Sequence, residues 1–350
     1  MRDPYYRDTT ATLYAADPRD FLAEMPDQTV DCIVTSPPPW TPPQHPGSDD
    51  DAQHGHEPTP TLYVAGLRRV LAEAHRVLTD EGTCWLVTSD CYATNTGWDG
   101  PPTGRHTRRA HHQAMSGLPA KSLIGLPWQI AFAAHDDGWI IRNAIVWHHP
   151  TTSQVTNEEP VTDRLTLGYE LIFLLVKQKR YHFDLDPIRQ PLRCPDVAAN
   201  PSAIGGTHPA ADCLDASARR PGNRHRSQRH GSGKYANAAG MCRRPGAAMP
   251  PTGHHHAAAH SNGMNTGDVW TLPARPFLNA IPIEVPLRCI AAGCRPGGTV
   301  LDMFAGIATT GLAARELNRP FIGIEHNSAM CGLARDRLSR DRDEPGGEQQ

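Results

Sequence analysis

Val300-Leu301-Asp302-Met303-Phe304-Ala305-Gly306-Ile307-Ala308-Thr309-Thr310 is the stretch from which the fold follows. A short apolar run ends in an acid, a tight turn of small residues comes next, and residues 308–317 take up helical spacing. In open α/β sheets ligands lie outside the carboxyl ends of strands, where small residues let backbone approach them. About twenty residues after Asp302, Phe321-Ile322-Gly323-Ile324-Glu325 ends a second apolar run in an acid, a spacing that suits a carboxylate accepting from two ribose hydroxyls. The glycines do not follow G-x-G-x-x-G, which disfavours a nicotinamide or flavin dinucleotide. A plain strand–turn–helix crossover is the alternative for the turn taken alone.

Working outward, residues 29–35 (TVDCIVT) form a buried strand that stops abruptly at Ser36-Pro37-Pro38-Pro39-Trp40. Residues 62–78 have one apolar helical face, and residues 82–89 are a second buried strand. A helix is predicted over 126–135 and strands over 139–147 and 169–176, the last two pairing as an antiparallel edge. Helices are predicted over 283–294 and 329–338, and strands over 299–302 and 321–325. Strands alternating with helices predict an α/β fold: a Rossmann-like, doubly wound, mostly parallel sheet with an antiparallel edge strand.

The excess of proline (33) and glycine (30) in 350 residues is concentrated in loops. Between residues 186 and 267 apolar periodicity disappears, and residues 189–244 carry ten Lys/Arg against three Asp/Glu, although the whole chain is near neutral at −3. The organisation predicted is a catalytic half (1–185), a low-complexity basic insert (186–267) as candidate target-recognition region, a second half holding the turn (268–340) and a solvated tail (341–350). Nine scattered cysteines with no C-x-x-C pair give neither a disulfide framework nor a zinc site. The His254-His255-His256 tract and His111-His112 are read as solvated chain, so no metal is expected. The stretch MRDPYYRD holds no apolar signal core, and the expectation is a cytoplasmic protein with no membrane partner.

The Ser36-Pro37-Pro38-Pro39-Trp40 loop resembles the S-P-P-Y/W or D-P-P-Y/W signature of the S-adenosylmethionine-dependent DNA amino-methyltransferases, and the chemistry of that family explains the resemblance. An exocyclic amino nitrogen on a nucleobase is a poor nucleophile because its lone pair is delocalised into the ring. Acceptors for both N–H groups let that nitrogen become tetrahedral, and the Ser36 hydroxyl oxygen with the Pro37 carbonyl can supply the pair. Pro37 and Pro38 keep the backbone from relaxing away. An apolar face, from Trp40 or from Pro39, would then stack on a base flipped out of the duplex.

Both strings resemble motifs of the beta-class S-adenosylmethionine-dependent DNA amino-methyltransferases: S-P-P-Y/W or D-P-P-Y/W for the loop, and D-P-F-x-G-S-G-T-T followed by a G-I-E-like strand end for the turn. Here Pro39 stands where the aromatic is usual, Met303 replaces proline, and Ile307-Ala308 replaces Ser-Gly. Arg76-Val77-Leu78, Thr88-Ser89-Asp90, Trp147-His148-His149-Pro150 and Asp268-Val269-Trp270 fit the family in order, so the resemblance runs from about Asp17 to Leu338 outside three loops. It implies a permuted class I methyltransferase fold in which the catalytic strand precedes the cofactor strand. It assigns Asp302, Phe304, Ala305, Gly306 and Thr309 to the S-adenosylmethionine methionine and backbone cradle, Glu325 to the ribose and Asp17 to the vicinity of the adenine. The implied activity is methylation of double-stranded DNA at an exocyclic amino group. N4 of cytosine is preferred over N6 of adenine, because serine more often opens the cytosine motif, and a cognate restriction nuclease is a candidate partner. A catalytically weakened cofactor- and DNA-binding protein is the rival from another class, and an RNA or small-molecule methyltransferase is a third reading.

Overall fold

The central strands form because their sequences are apolar on both faces, which only a sheet covered on both sides can satisfy. In the computed structural model, residues 2–41, 54–93, 117–119, 121–149, 162–165, 167–191, 262–275 and 280–343 are described. The arginine cluster of the basic insert, the His254-His255-His256 tract, His111-His112 and the end of the tail lie outside those residues.

In chain order the strands are β1 (Tyr6–Arg7), β2 (Ala11–Ala15), β3 (Val30–Thr35), β4 (Leu78–Thr88), β5 (Ile140–His148), β6 (Tyr169–Val176), β7 (Val269–Thr271), β8 (Val300–Asp302) and β9 (Phe321–Glu325). The helices are α1 (Pro18–Glu24), α2 (Pro60–Val77), α3 (Leu126–Asp136), α4 (Glu284–Gly293), α5 (Thr309–Glu316) and α6 (Ser328–Asp343). The strands make one sheet in the order β1-β2-β9-β8-β3-β4-β6-β5-β7. From β2 to β4 every neighbour is parallel. Strand β6 runs antiparallel to both β4 and β5, and β1 lies antiparallel to β2 at the other edge. Beyond β5 the three-residue β7 adds a further parallel strand, Trp270 opposite Trp147.

Helices cover both faces. Phe21 and Leu22 of α1, Leu67 and Leu71 of α2 and Ile130 of α3 pack into one apolar cluster with Ile33 and Leu86. On the opposite face Ile290 of α4, Ala313 of α5 and Leu338 of α6 pack with Val34, Trp85 and Val300. Trp85, Trp139 and Trp147 are core residues, as their apolar strands suggest. The contact between α4 and β4 is close: a Cβ on Gly293 would stand 2.4 Å from both Thr83 Oγ1 and Trp85 Nε1, so only glycine fits.

Helix starts are written locally. Asp17 accepts from the Arg19 N–H at the head of α1, and Thr59 accepts from the Leu62 N–H at the head of α2, each followed by proline in the first turn. Arg76 then ties α2 to the end of α1, donating to the Leu22 and Met25 carbonyls at 2.6 and 2.8 Å.

The functional consequence of the topology lies between β8 and β3. From β8 the chain crosses to β9 on one side; from β3 it crosses to β4 on the other. The order reverses there, and open α/β sheets bind ligands in the crevice outside the carboxyl ends of the strands at such a point. Those ends are Asp302 and Thr35.

Candidate active site

The two predicted halves of the site meet at one hydrogen bond. Thr35 Oγ1, the last side chain of β3, donates to Asp302 Oδ1 at 2.8 Å, and both residues are buried. Asp302 also accepts from the Phe304 N–H at 3.1 Å and, through Oδ2, from Thr310 Oγ1 at 2.6 Å. It therefore fixes the turn, the first residues of α5 and the base of the Ser36 loop together. Burial raises its carboxyl to about 6, against the lowering effect of the three donors.

The turn from Met303 to Ala308 is shaped for close approach. Ala305 N donates to Ile324 O at 2.8 Å and Gly306 N to Glu325 Oε2 at 2.8 Å, which binds the turn to the end of β9. Gly306 has φ +53°, and a Cβ there would meet nothing nearer than Phe304 O at 4.0 Å, so the glycine faces open space. The bulkier Ile307 and Ala308 do not fill that space: both are buried, and Ala308 adopts φ +59° to close the turn through its N–H on Ala305 O. Thr309 is buried and accepts from Arg337. Glu325 takes the Gly306 and Asn327 N–H groups, one on each oxygen, and burial raises its carboxyl. An open notch beside a glycine, edged by a carboxylate with further lone pairs, fits a ribose-bearing cofactor.

Asp17 stands at the end of β2, next to the end of β9: Ala15 pairs with Glu325, and the Ala16 N–H donates to the Glu325 carbonyl at 3.0 Å. Its carboxylate is held by the Arg19 N–H and guanidinium at 2.8–3.0 Å. Burial pushes this acid up, but the Arg19 contacts outweigh it and the net shift is downward.

On the other side of the crevice, Ser36 is half-buried, Pro37 buried, and Pro38 and Pro39 exposed. Trp40 corrects the expectation of a stacking ring. It is 3% exposed, packs in the core with Tyr63, and its indole N–H donates to Glu57 O at 2.8 Å, so it offers no free face to a base. The loop is clamped from the start of α2. Tyr63 Oη donates to Pro38 O at 2.8 Å, Thr41 N to Gly55 O at 2.6 Å, and Gly55 N to Glu57 Oε2 at 2.9 Å. Next to Gly55, the His54 ring stands edge-on to Phe304 with centroids 5.3 Å apart, a second link between the loop and the turn.

Two residues that sequence reasoning gave no site role complete the arrangement. Arg275 donates through Nη2 to Ser36 Oγ at 3.1 Å. The same guanidinium grips Glu170 of β6 with two bonds, of 2.8 and 2.7 Å. Glu170 did leave a signal: it is the sole charge in the run YELIFLLV, and a carboxylate buried there needs a cation. Beside it opens a small cleft lined by Thr88, Asp90, Trp128, Tyr169 and Glu170 among others. Asp90, whose carboxyl is raised by burial, accepts from the Cys91, Gly125 and Leu126 N–H groups, which sets the start of α3. The Thr88 hydroxyl is buried in this wall with no hydrogen-bond partner among the described residues.

Among the described residues no group of three or more His, Cys, Asp or Glu side chains could hold a metal ion, and no helix is long and apolar enough to cross a membrane.

A family model described as DNA methylase matches residues 30–336. The chain is 31% identical over 338 residues to the Type II methyltransferase M.XycI of Xanthomonas campestris pv. cyanopsidis, covering 94% of this chain and 87% of that protein. It is 30% identical, with the same coverage, to the Type II methyltransferase M.Cfr9I of Citrobacter freundii. In fold it is similar to TTHA0409 of Thermus thermophilus, solved in complex with S-adenosyl-L-methionine. That likeness has a TM-score of 0.51 and 20% identity over 95% of this chain and 96% of the other.

Proposed function

The chain belongs to the N6/N4 DNA methylase family, and on that premise we propose that it methylates N4 of cytosine in double-stranded DNA, as the modification partner of a Type II restriction nuclease. The observation that carries this reading is the Thr35–Asp302 hydrogen bond at the switch point, because it holds an amino-group loop and a cofactor turn against one crevice. S-adenosylmethionine, bound along the turn, supplies a methyl group on a positively charged sulfur.

The protein's own part is to bind and to orient. Glu325 accepts the ribose hydroxyls, and the missing Cβ of Gly306 lets the cofactor approach the backbone. Phe304, Ala305 and Thr309 shape the methionine end, with Asp302 keeping the turn rigid rather than touching the ligand. Asp17 closes the adenine end. Across the crevice, Ser36 Oγ and the Pro37 carbonyl accept the two amino N–H groups and turn the nitrogen lone pair toward the methyl group. Such acceptors act because they are already aimed before reaction. Pro38 is held by Tyr63, Trp40 supports the loop from below, and exposed Pro39 offers the apolar face for the flipped base. The bond from nitrogen to carbon forms as the bond from carbon to sulfur breaks, and the surplus amino proton leaves to solvent.

Serine at position 36 favours cytosine, while adenine offers the same amino group beside a ring nitrogen and is the alternative target. The basic insert reads the DNA site. Its two ends are tied at a neck, where Gln190 and Met264 exchange N–H to O bonds of 3.0 and 2.8 Å. Mass spectrometry of nucleosides from DNA incubated with the protein and S-adenosylmethionine tests the assignment. N4-methylcytosine is expected; N6-methyladenine alone would overturn the choice of base.

A further inference from the structure

The geometry points to Arg275 as a positioning residue for methyl transfer: clamped by Glu170, it fixes the Ser36 hydroxyl in the orientation that accepts the target amino group. This inference rests on the role proposed above for Ser36.

A serine hydroxyl on its own is a rotor. Its side chain has three staggered positions, and its oxygen carries one hydrogen and two lone pairs that water can engage in any combination. Arg275 removes that freedom, because its Nη2 donates to one lone pair at 3.1 Å and leaves the other for an incoming N–H. The guanidinium can do this reproducibly only if it is itself immobile, and Glu170 and Trp147 hold it. Glu170 binds it through both Nε and Nη2, a fork that fixes the plane of the group. Below it lies the ring of fully buried Trp147, with Cζ 5.5 Å from the centroid. Trp147 in turn donates to Pro273 O at 3.2 Å, two residues before Arg275, so the segment after β7 is pinned as well.

The charge balance is also right for the chemistry. Positive charge grows on the amino nitrogen as the methyl group arrives, and a lone guanidinium beside Ser36 would oppose it. Glu170 lies 2.7 Å from the same Nη2 that bonds Ser36, which makes the pair neutral overall while keeping the directional donor. Glu170 also lines the cleft whose wall contains the Thr88 hydroxyl, which has no partner among the described residues, so the clamp sits at the edge of a space with a polar group still to be satisfied. Lysine at 275 would retain the charge for Glu170 and lose the fork.

The test compares Arg275→Lys in the native protein and in a Ser36→Ala background, reading labelled methyl transfer to long unmethylated duplex DNA, with cofactor affinity measured in parallel. The inference expects Arg275→Lys to lower kcat by about ten- to a hundredfold, the range for one charge-assisted hydrogen bond, with S-adenosylmethionine affinity and the KM for DNA nearly unchanged. On the Ser36→Ala background the same change should cost less than about twofold, because its target is gone. If Ser36→Ala is too slow to measure, the split between kcat and KM decides alone. Wild-type kcat in Arg275→Lys, a loss confined to KM, or equal losses in both backgrounds would overturn the inference. Full turnover in Ser36→Ala itself would instead refute the role of the serine. Should either variant lose its fold, the double variant Arg275→Met with Glu170→Leu removes both charges together and must show the same kcat loss.

Discussion

Asp302 satisfies three donors inside the protein, and that decides what it can do. With Thr35, Thr310 and the Phe304 N–H on its two oxygens, it works as a structural pin at the bottom of the crevice. Its carboxyl is raised to about 6, above the ordinary 3.8, so the folded chain holds this proton more tightly than the unfolded chain. The stabilising contribution is complete below about pH 4 and is lost as pH rises through about 6. In Asp302→Asn the amide oxygen still accepts from Thr35 and the amide N–H2 can donate to Thr310, but nothing titrates. Denaturant melts should show the wild type losing about 2 kcal/mol relative to Asp302→Asn between pH 4.5 and pH 7. A difference independent of pH would contradict the buried acid. Trp40 marks the limit of reading at this scale. Its sequence position gives an aromatic next to a proline loop, but the partners that turn it inward, Glu57 and Tyr63, stand 17 and 23 residues further along the chain. Arg275 was hidden for the same reason: Ser36 is 239 residues away.

At the scale of elements, the loop bearing Ser36 is as rigid as its clamp, and Gly55 is the tightest point of that clamp. Gly55 has φ +97°, and a Cβ there would stand 3.0 Å from Pro39 O and 3.1 Å from Pro38 Cβ. Gly55→Ala should therefore push the loop out of place while leaving the cofactor turn intact. The expected result is a fall in kcat of roughly ten- to a hundredfold, the cost of a small misplacement of reacting groups, at unchanged S-adenosylmethionine affinity. Wild-type turnover in a folded Gly55→Ala would show that the clamp does not position the loop. Elements with long buried runs were legible from sequence: the predicted strand over 169–176 is β6, that over 321–325 is β9, and the predicted helix over 126–135 is α3 within one residue. Strand β7 was not legible, because Val269–Thr271 has three residues and is defined by pairing with β5 rather than by its own pattern. The neck at Gln190 and Met264 lies within a stretch read as patternless for the same reason, since a single bridge has no periodicity.

For the whole molecule, the order of the strands explains why catalytic and cofactor motifs lie so far apart in sequence. Strands β3 and β8 are neighbours at the reversal of the sheet, and everything from β4 to α4 lies between them in the chain. An insert can be accommodated in that interval without disturbing the crevice, provided its ends meet. Replacing residues 191–263 by a short Gly/Ser bridge should leave S-adenosylmethionine affinity unchanged and weaken DNA binding. The dependence on log salt should flatten by about 0.9 for each phosphate that is no longer neutralised. Unchanged DNA affinity and methylation pattern would make the segment a passive linker. Methyl transfer to a DNA amino nitrogen is proposed to run in one crevice, with Ser36 on one wall and the Asp302–Glu325 turn on the other. The most direct measurement is transfer of labelled methyl from S-adenosylmethionine to duplex DNA by the wild type and by Ser36→Ala, with cofactor affinity determined for both by calorimetry. Labelled DNA is expected from the wild type, with at least about a hundredfold slower transfer by Ser36→Ala at equal cofactor affinity, a loss of roughly 3 kcal/mol in transition-state stabilisation. Unlabelled DNA from the wild type, or undiminished transfer by Ser36→Ala, would contradict it.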